Sequence, residues 1–311
     1  MTVIEAIRKS ADFLAKKGVE SSRLQAEVLL AHLLKLPRMK LYLNFERMLT
    51  PAETDALREF VKRRGRREPL QHITGSTSFC GFEITVNRHA LVPRPETELL
   101  AELGWDFLVT RHSSLATALD FGTGTGCIAI ALATKCPDAK IAALDISADA
   151  LALAKENAAR NNVAGRIEFF EGEGFAALTG AAQRGRLARE FPEADKQASR
   201  PRSFDLIISN PPYIPSAEIA MLQPEVRDFD PRAALDGGAD GLDFYRKLAA
   251  EAKPFLKLDG NIMLEFGAGQ AEAVKTIFEM QMWIVEAVKE DYSQRARILI
   301  AKSSSSSFSS S

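Results

Sequence analysis

Apolar residues in the first 65 positions recur at helical spacing, in three blocks. Val3, Ile4, Ile7, Phe13 and Leu14 make the first, and Leu24, Val28, Leu29, Leu33 and Leu34 the second. Leu57, Phe60 and Val61 give the third its buried side, and Gly65 can stop it. Ser22 with Gln25, and Thr50 with Glu53, have the spacing of capping boxes, and Pro51 stands at the first helical position of the last block. At Pro69 the texture changes. Ile73, Phe79, Phe82, Ile84, Val86 and Leu91 stand among Gly75, Gly81 and several Ser and Thr, which predicts a hairpin acting as a linker. From residue 93 strand and helix patterns alternate. Strands are expected at Thr117–Phe121, Lys140–Ile146, Arg166–Glu171, Phe204–Ser209, Asn261–Phe266, Trp283–Val288 and Arg297–Ala301, with helices such as Cys127–Lys135, Ala148–Asn161 and Leu242–Lys253 between them. Alternation of this kind predicts parallel βαβ units, and the close final pair predicts a last strand that returns antiparallel.

The expected architecture is α/β, a Rossmann-like doubly wound sheet of seven strands with a small all-helical domain in front. Four regions follow: a helical domain over 1–68, a β-hairpin linker over 69–92, a catalytic domain over 93–302, and a serine-rich tail over 303–311 expected to be disordered. Residues 174–203 read as a surface insertion, because the stretch exceeds the usual connection between strands.

Composition narrows the function classes. Lys and Arg number 40 against 41 Asp and Glu, a net charge of −1, so no basic excess points to wholesale nucleic-acid binding. No apolar run approaches the roughly 18 residues of a membrane-spanning helix. Cys80, Cys127 and Cys136 are too few and scattered for a disulfide framework or zinc site, and His32, His72, His89 and His112 do not stand at metal-ligand spacing. No metal is expected. The Met1–Lys17 start carries Glu5 and Asp12 and reads as a helix rather than a signal peptide, so a reducing cytoplasm is the expected compartment.

Two motifs carry chemistry. Asp120-Phe121-Gly122-Thr123-Gly124-Thr125-Gly126 follows an apolar strand and opens a helix. Its glycines let backbone approach a ligand, and the helix start offers N–H groups. Asp145 closes the next strand about 20 residues on, where a carboxylate can accept both hydroxyls of a ribose. The dinucleotide pattern would place glycine at position 127, which is Cys127. The spacing therefore favours a nucleoside ligand without a pyrophosphate, such as S-adenosylmethionine, over NAD. The second motif is Asn210-Pro211-Pro212-Tyr213, straight after the buried-strand pattern Phe204–Ser209. In a doubly wound sheet this places Asn210 beside the glycine loop. An Asn side chain, with a carbonyl from a stretch of prolines that lacks N–H donors, can grip the two hydrogens of a planar NH2 group. Such a nitrogen is a poor nucleophile because its lone pair is delocalised, and holding its hydrogens out of plane favours a pyramidal nitrogen aimed at a sulfonium methyl. Tyr213 can pack on the planar group and exclude water.

Other features have two readings each. Lys62-Arg63-Arg64-Gly65-Arg66-Arg67 is a solvated helix end suited to the helix dipole, or a docking patch for an acidic protein face or RNA. Glu96 and Glu98 cap a helix near Thr97, or orient a substrate loop or the cofactor. Cys127 packs among apolar neighbours, or has a thiol pKa lowered by its place at a helix start. Gly237-Gly238 and Gly241 read as a turn before a helix, with no separate site needed.

Taken together these motifs resemble the bacterial HemK-type (PrmC) family of protein-(glutamine-N5) methyltransferases, which modify peptide chain release factors. The resemblance covers nearly the whole chain, to Lys302. It rests on Pro69-Leu70-Gln71-His72-Ile73-Thr74-Gly75, on Leu91-Val92-Pro93-Arg94-Pro95-Glu96-Thr97-Glu98, on Asp120–Gly126 and Asn210–Tyr213, and on the run from Glu225-Val226-Arg227 to Gly241-Leu242-Asp243-Phe244-Tyr245-Arg246. The Pro93–Glu98 segment looks like the release-factor branch rather than the ribosomal-protein branch. The resemblance implies a class I S-adenosylmethionine-dependent methyltransferase, with S-adenosylhomocysteine as product. Gly122, Thr123, Gly124, Thr125, Gly126, Asp145, Gly174 and Asn210 would bind the cofactor. Gly174 lies where relatives often carry Asp followed by a large residue and this chain reads Glu173-Gly174. Asn210, Pro211, Pro212 and Tyr213 would hold the glutamine, with Asn210, Pro211 and Tyr213 catalytic. The implied partners are class-1 release factors, selected by the helical domain, with no direct nucleic-acid binding. The alternatives are methylation of an exocyclic amine on a DNA or RNA base, methylation of a ribosomal-protein glutamine, and a cofactor-binding module without chemistry.

Overall fold

The computed structural model describes residues 1–111, 116–179 and 203–303, which fall into two units. The segment 180–202 of the expected insertion and the tail beyond Ser303 lie outside the described residues.

The first unit comprises Met1–Thr77, Val86–Arg88 and Met221–Asp230. Its helices are α1 (Val3–Lys16), α2 (Ser22–Leu34), α3 (Arg38–Leu41), α4 (Pro51–Gly65) and α5 (Leu70–Thr74). The apolar stripes of α1, α2 and α4 meet in a core that includes Leu14, Leu29, Leu30 and Leu57, joined by Leu41 and Ile73. The Thr50 box forms as expected: the Glu53 N–H donates to Thr50 Oγ1 at 3.1 Å and the Thr50 N–H to Glu53 Oε2 at 2.9 Å. An equivalent box at Thr2 and Glu5 opens α1. The expected Ser22 box does not form. Ser22 is already helical, and Gln25 instead donates Nε2 to the Glu20 carbonyl at 2.9 Å. Residues 70–74, expected within a β-prone stretch, make one helical turn after Pro69.

The basic run is largely consumed by ion pairs inside this unit. Arg64 is 4% exposed and donates Nη2 to Glu225 at 2.6 Å. Arg67 reaches both oxygens of Glu225 at 2.7 Å, and Arg63 pairs with Glu68 at 2.8 Å. Of the two readings of the run, neither describes these three arginines, whose partners lie inside the unit.

In the hairpin, β1 (Ser76–Phe79) and β2 (Phe82–Thr85) join through Cys80 and Gly81, whose φ angles of 50° and 81° suit the two-residue turn that matches strand twist.

The second unit comprises Ser78–Thr85, His89–Ala220 and Pro231–Ser311. Helix α6 (Pro95–Val109) leads to β3 (Thr117–Phe121), α7 (Cys127–Lys135), β4 (Lys140–Asp145), α8 (Ala148–Arg160), β5 (Ile167–Glu171), β6 (Phe204–Ser209), β7 (Leu256–Glu265), β8 (Trp283–Glu290) and β9 (Ala296–Ser303). The sheet order is β5-β4-β3-β6-β7-β9-β8. The first five strands pair in parallel, and β9 runs antiparallel between β7 and β8, as the close final pair predicts. The strands β3 and β6 bury nearly every residue, as parallel strands covered on both faces must. Register then places the strand ends: Phe121 partners Leu144, so Gly122 follows beside Asp145, and Ser209 partners Leu264, so Asn210 follows beside Glu265.

Thr50→Ala should destabilise α4 by about 0.5–2 kcal/mol, the usual worth of an N-cap. Ser22→Ala should change stability by less than about 0.5 kcal/mol, as a surface site without a cap bond does. Native-state hydrogen exchange across α4 and α2 reads both. Equal effects at the two sites would contradict the capping assignment.

Candidate functional site at the carboxyl ends of the strands

The glycine loop is held from three sides. The Gly122 and Thr123 N–H groups donate to the Leu144 carbonyl at 2.8 and 2.9 Å, fixing the loop on β4. The Gly124 N–H donates to Asp145 Oδ2 at 2.8 Å, and the Ser147 N–H to Asp145 Oδ1 at 2.9 Å. Asn157, buried on α8, donates Nδ2 to the Thr125 and Thr85 carbonyls at 3.0 Å and accepts from the Thr85 N–H at 2.8 Å. Gly126 has φ 81°, and a Cβ there would sit 3.0 Å from the Ala154 Cβ and 3.2 Å from its Cα. Only glycine combines that left-handed turn with so close an approach to α8.

Beneath the loop lies Asp120, 1% exposed. Its Oδ2 accepts the Thr123 hydroxyl at 2.6 Å and the Ala129 N–H at 3.1 Å, so one N–H of the α7 start is spent internally. Its Oδ1 is buried without a partner. Burial pushes this carboxyl up to about 7. Burial also pushes the Cys127 thiol upward, which selects packing over an activated thiolate.

The second motif leaves β6 beside the loop. The Ser209 hydroxyl donates to the Phe121 carbonyl at 2.6 Å, tying the two strand ends together. Asn210 is half-buried and donates Nδ2 to Thr97 Oγ1 at 3.0 Å, and Thr97 in turn donates to Glu265 Oε2 at 2.7 Å. Glu265 ends β7, is 3% exposed, and burial pushes its carboxyl up to about 7. The Tyr245 hydroxyl donates to the Glu265 carbonyl at 2.9 Å. Gln270 donates Nε2 to the Tyr213 carbonyl at 2.9 Å and accepts the Gly267 N–H at 2.9 Å. A Cβ on Gly241 would lie 2.3 Å from the Tyr213 oxygen, so this glycine is needed for the main chain of the motif to pass. Burial raises the Tyr213 phenol above its ordinary value.

Gly122, Thr123, Gly124, Thr125, Gly126, Asp145 and Asn210 thus gather at one edge of the sheet. Pro211, Pro212 and Tyr213 continue from Asn210. Gly174 stands in a turn after β5, whose last residue Glu171 pairs with Asp145; it has φ 61°, and its vacant side faces the Lys247 side chain at 3.1 Å. Glu98 does not cap α6: it accepts the Cys80 N–H at 2.8 Å.

Thr97, Asn157, Glu265 and Gln270 are contacts of the site that motif reading passed over. Two had a visible signal. Asn157 is a polar residue on the apolar stripe of α8 with Ala150, Leu153, Ala154 and Ala158. Glu265 is a carboxylate at the end of a buried strand, the same feature that drew attention to Asp145.

Residues 5–75 match the family model of the PrmC N-terminal domain, and residues 102–184 that of the methyltransferase small domain. A release factor glutamine methyltransferase of Geobacter sulfurreducens is 44% identical over 279 residues, covering 88% of this chain and 89% of its own. One of Chlorobaculum tepidum is 38% identical over 299 residues, covering 95% of each. Among solved structures, the catalytic domain of hMettl16 in complex with MAT2A 3′UTR hairpin 6 is 16% identical, with a TM-score of 0.51 over 72% of this chain and 76% of that one, a likeness of fold alone. The sheet is that of class I methyltransferases.

Asp120→Asn should reveal the buried carboxyl through pH. With a folded value of about 7 against an ordinary 3.8, the native state holds the proton more tightly than the unfolded chain. Asp120 therefore costs nothing below 3.8 and increasingly destabilises as pH rises towards 7. The melting temperature of the variant relative to wild type should climb across that range and level off above it. A gap independent of pH would mean the carboxyl is ionised throughout.

Proposed function

The chain belongs to the release factor glutamine methyltransferase family, and we propose that it methylates the side-chain amide nitrogen of a glutamine in a class-1 peptide chain release factor. The observation that carries the reading is the meeting of the glycine loop and Asn210–Tyr213 at the carboxyl ends of adjacent strands, tied by the Ser209–Phe121 bond.

The residues fit S-adenosylmethionine. Beside Gly122 and Gly124 a Cβ would meet open space or only the Ala90 methyl at 3.8 Å, and Asp120 Oδ1 lies buried and unpartnered beneath. The backbone of Gly122–Gly126 would cradle the cofactor. Asp145 uses one lone pair on each oxygen for the Gly124 and Ser147 N–H groups, which fixes its carboxylate and leaves further lone pairs for ribose hydroxyls. When bound, S-adenosylmethionine would supply an electrophilic methyl group and leave as S-adenosylhomocysteine, and the methylated nitrogen then gives up one of its two protons to solvent.

On the substrate side Asn210 Oδ1 and the Pro211 carbonyl accept the two hydrogens of the glutamine amide. Both hydrogens are drawn away from the carbonyl plane, so the nitrogen lone pair is released from resonance and aimed at the methyl donor. Tyr213, packed on the core and held by Gln270, closes the other side of the amide against water. The work is positioning and fixed dipoles. The helical unit carries neither motif, and its role in this reading is to select the protein substrate. Arg63, Arg64 and Arg67 are engaged with Glu68 and Glu225, which argues against a phosphate-binding stripe and so against a nucleic-acid base as substrate. The reading places the reaction in the reducing cytoplasm, which suits three free cysteines.

Asn210→Ala should lower kcat on release factor by about 10²–10³, the usual effect of losing one preorganised polar contact. Affinity for S-adenosylhomocysteine should be retained in large part, because the contact to the substrate amide strengthens towards the transition state and so is lost in kcat more than in binding. A folded variant with normal affinity and kcat within about threefold of wild type would refute the assignment.

A further inference from the structure

The Asn210 amide has two ends of nearly equal shape and opposite hydrogen-bonding character. Only one orientation can accept hydrogens from a substrate NH2 group. We infer that Thr97 and Glu265 form a relay that fixes this orientation, which makes both of them positioning residues for the transfer.

The relay starts from a buried carboxyl group. Glu265 is 3% exposed at the end of an apolar strand, a costly place for an acid unless it is used. Its Oε2 accepts the Thr97 hydroxyl at 2.7 Å. A hydroxyl has one proton, so a Thr97 that donates to Glu265 presents only lone pairs elsewhere. Asn210 Nδ2 stands 3.0 Å from that oxygen and is the end able to satisfy it. The opposite rotamer would set Asn210 Oδ1 against the Thr97 oxygen, acceptor facing acceptor, and would turn Nδ2 towards the substrate amide, donor facing donor. The relay thus excludes the unproductive orientation before substrate arrives.

Both supports are anchored. Thr97 is 3% exposed in the first turn of α6, and the Tyr245 hydroxyl holds the Glu265 main chain at 2.9 Å. Neither side chain needs to touch the substrate. That the oriented oxygen serves a glutamine amide rests on the function proposed above; the orientation itself does not.

The test has two arms. In the free enzyme, the Asn210 side-chain amide resonance, assigned by its loss in Asn210→Ala, should move in Thr97→Val, and Thr97→Ser should restore it. An unmoved resonance in folded Thr97→Val overturns the relay whatever the substrate. In turnover with release factor, Thr97→Val should lower kcat about tenfold, the worth of roughly one net hydrogen bond, with KM and S-adenosylhomocysteine affinity nearly unchanged. Thr97→Ser should recover most of that loss. Glu265→Gln, whose amide can turn either end to Thr97, should lose a smaller part. In an Asn210→Ala background Thr97→Val should cost nothing further, because there is no amide left to orient. Multiplying losses would show that Thr97 acts only through general structure and would overturn the relay. A wild type that moves no methyl to release factor contradicts the proposed function, and the resonance arm still decides the relay.

Discussion

The register of four parallel strands is the constraint on which the site depends. Phe121 against Leu144 and Ser209 against Leu264 bring β4, β3, β6 and β7 to a stop at one level. The next residue of each is a group of the candidate site: Gly122 after β3, Asn210 after β6, and the terminal carboxyls Asp145 and Glu265. A slip of one residue would turn every buried side chain of a strand to the opposite face, so core packing and site geometry enforce each other. At the opposite edge, Asp205 collects the Thr117 N–H at 2.8 Å and the Lys257 ammonium at 2.6 Å, closing the amino ends of β3, β6 and β7.

Around this edge the protein keeps polar groups where apolar ones would pack more cheaply. Asn157 joins α8 to the glycine loop and to β2, and each of its bonds satisfies a backbone group. Asp120 and Glu265 are acids whose burial pushes both carboxyls to about 7. Such groups cost stability and gain definition of geometry, a reasonable exchange if the site is to hold a planar nitrogen out of its resting shape, as the proposed function requires.

Sequence patterning made much of this legible; one failure was local, and the rest share the cause of long sequence separation. The strands Thr117–Phe121 and Phe204–Ser209 run where their apolar runs place them, and Thr50 caps α4 as its spacing implies. These features depend on neighbours within a few residues. Ser22 had the same local spacing, but Ser21 adopts a left-handed conformation and the helix begins a residue early. The Lys62–Arg67 run looked free because Glu225 lies 161 residues from Arg64. Likewise Thr97 meets Asn210 across 113 residues and Glu265 across 168. Periodicity carries no information at those separations, and only the folded sheet supplies the pairing.

The central claim is that the methyl group goes to a glutamine amide in a release factor, and locating the product tests it most directly. The full chain is incubated with methyl-labelled S-adenosylmethionine and, in parallel, intact release factor, ribosomal protein and nucleic acid, and the labelled product is mapped by fragmentation mass spectrometry. The account predicts a single methyl on the side-chain nitrogen of one release-factor glutamine. Label confined to a nucleic-acid base or a ribosomal protein, with none in the release factor, would contradict it.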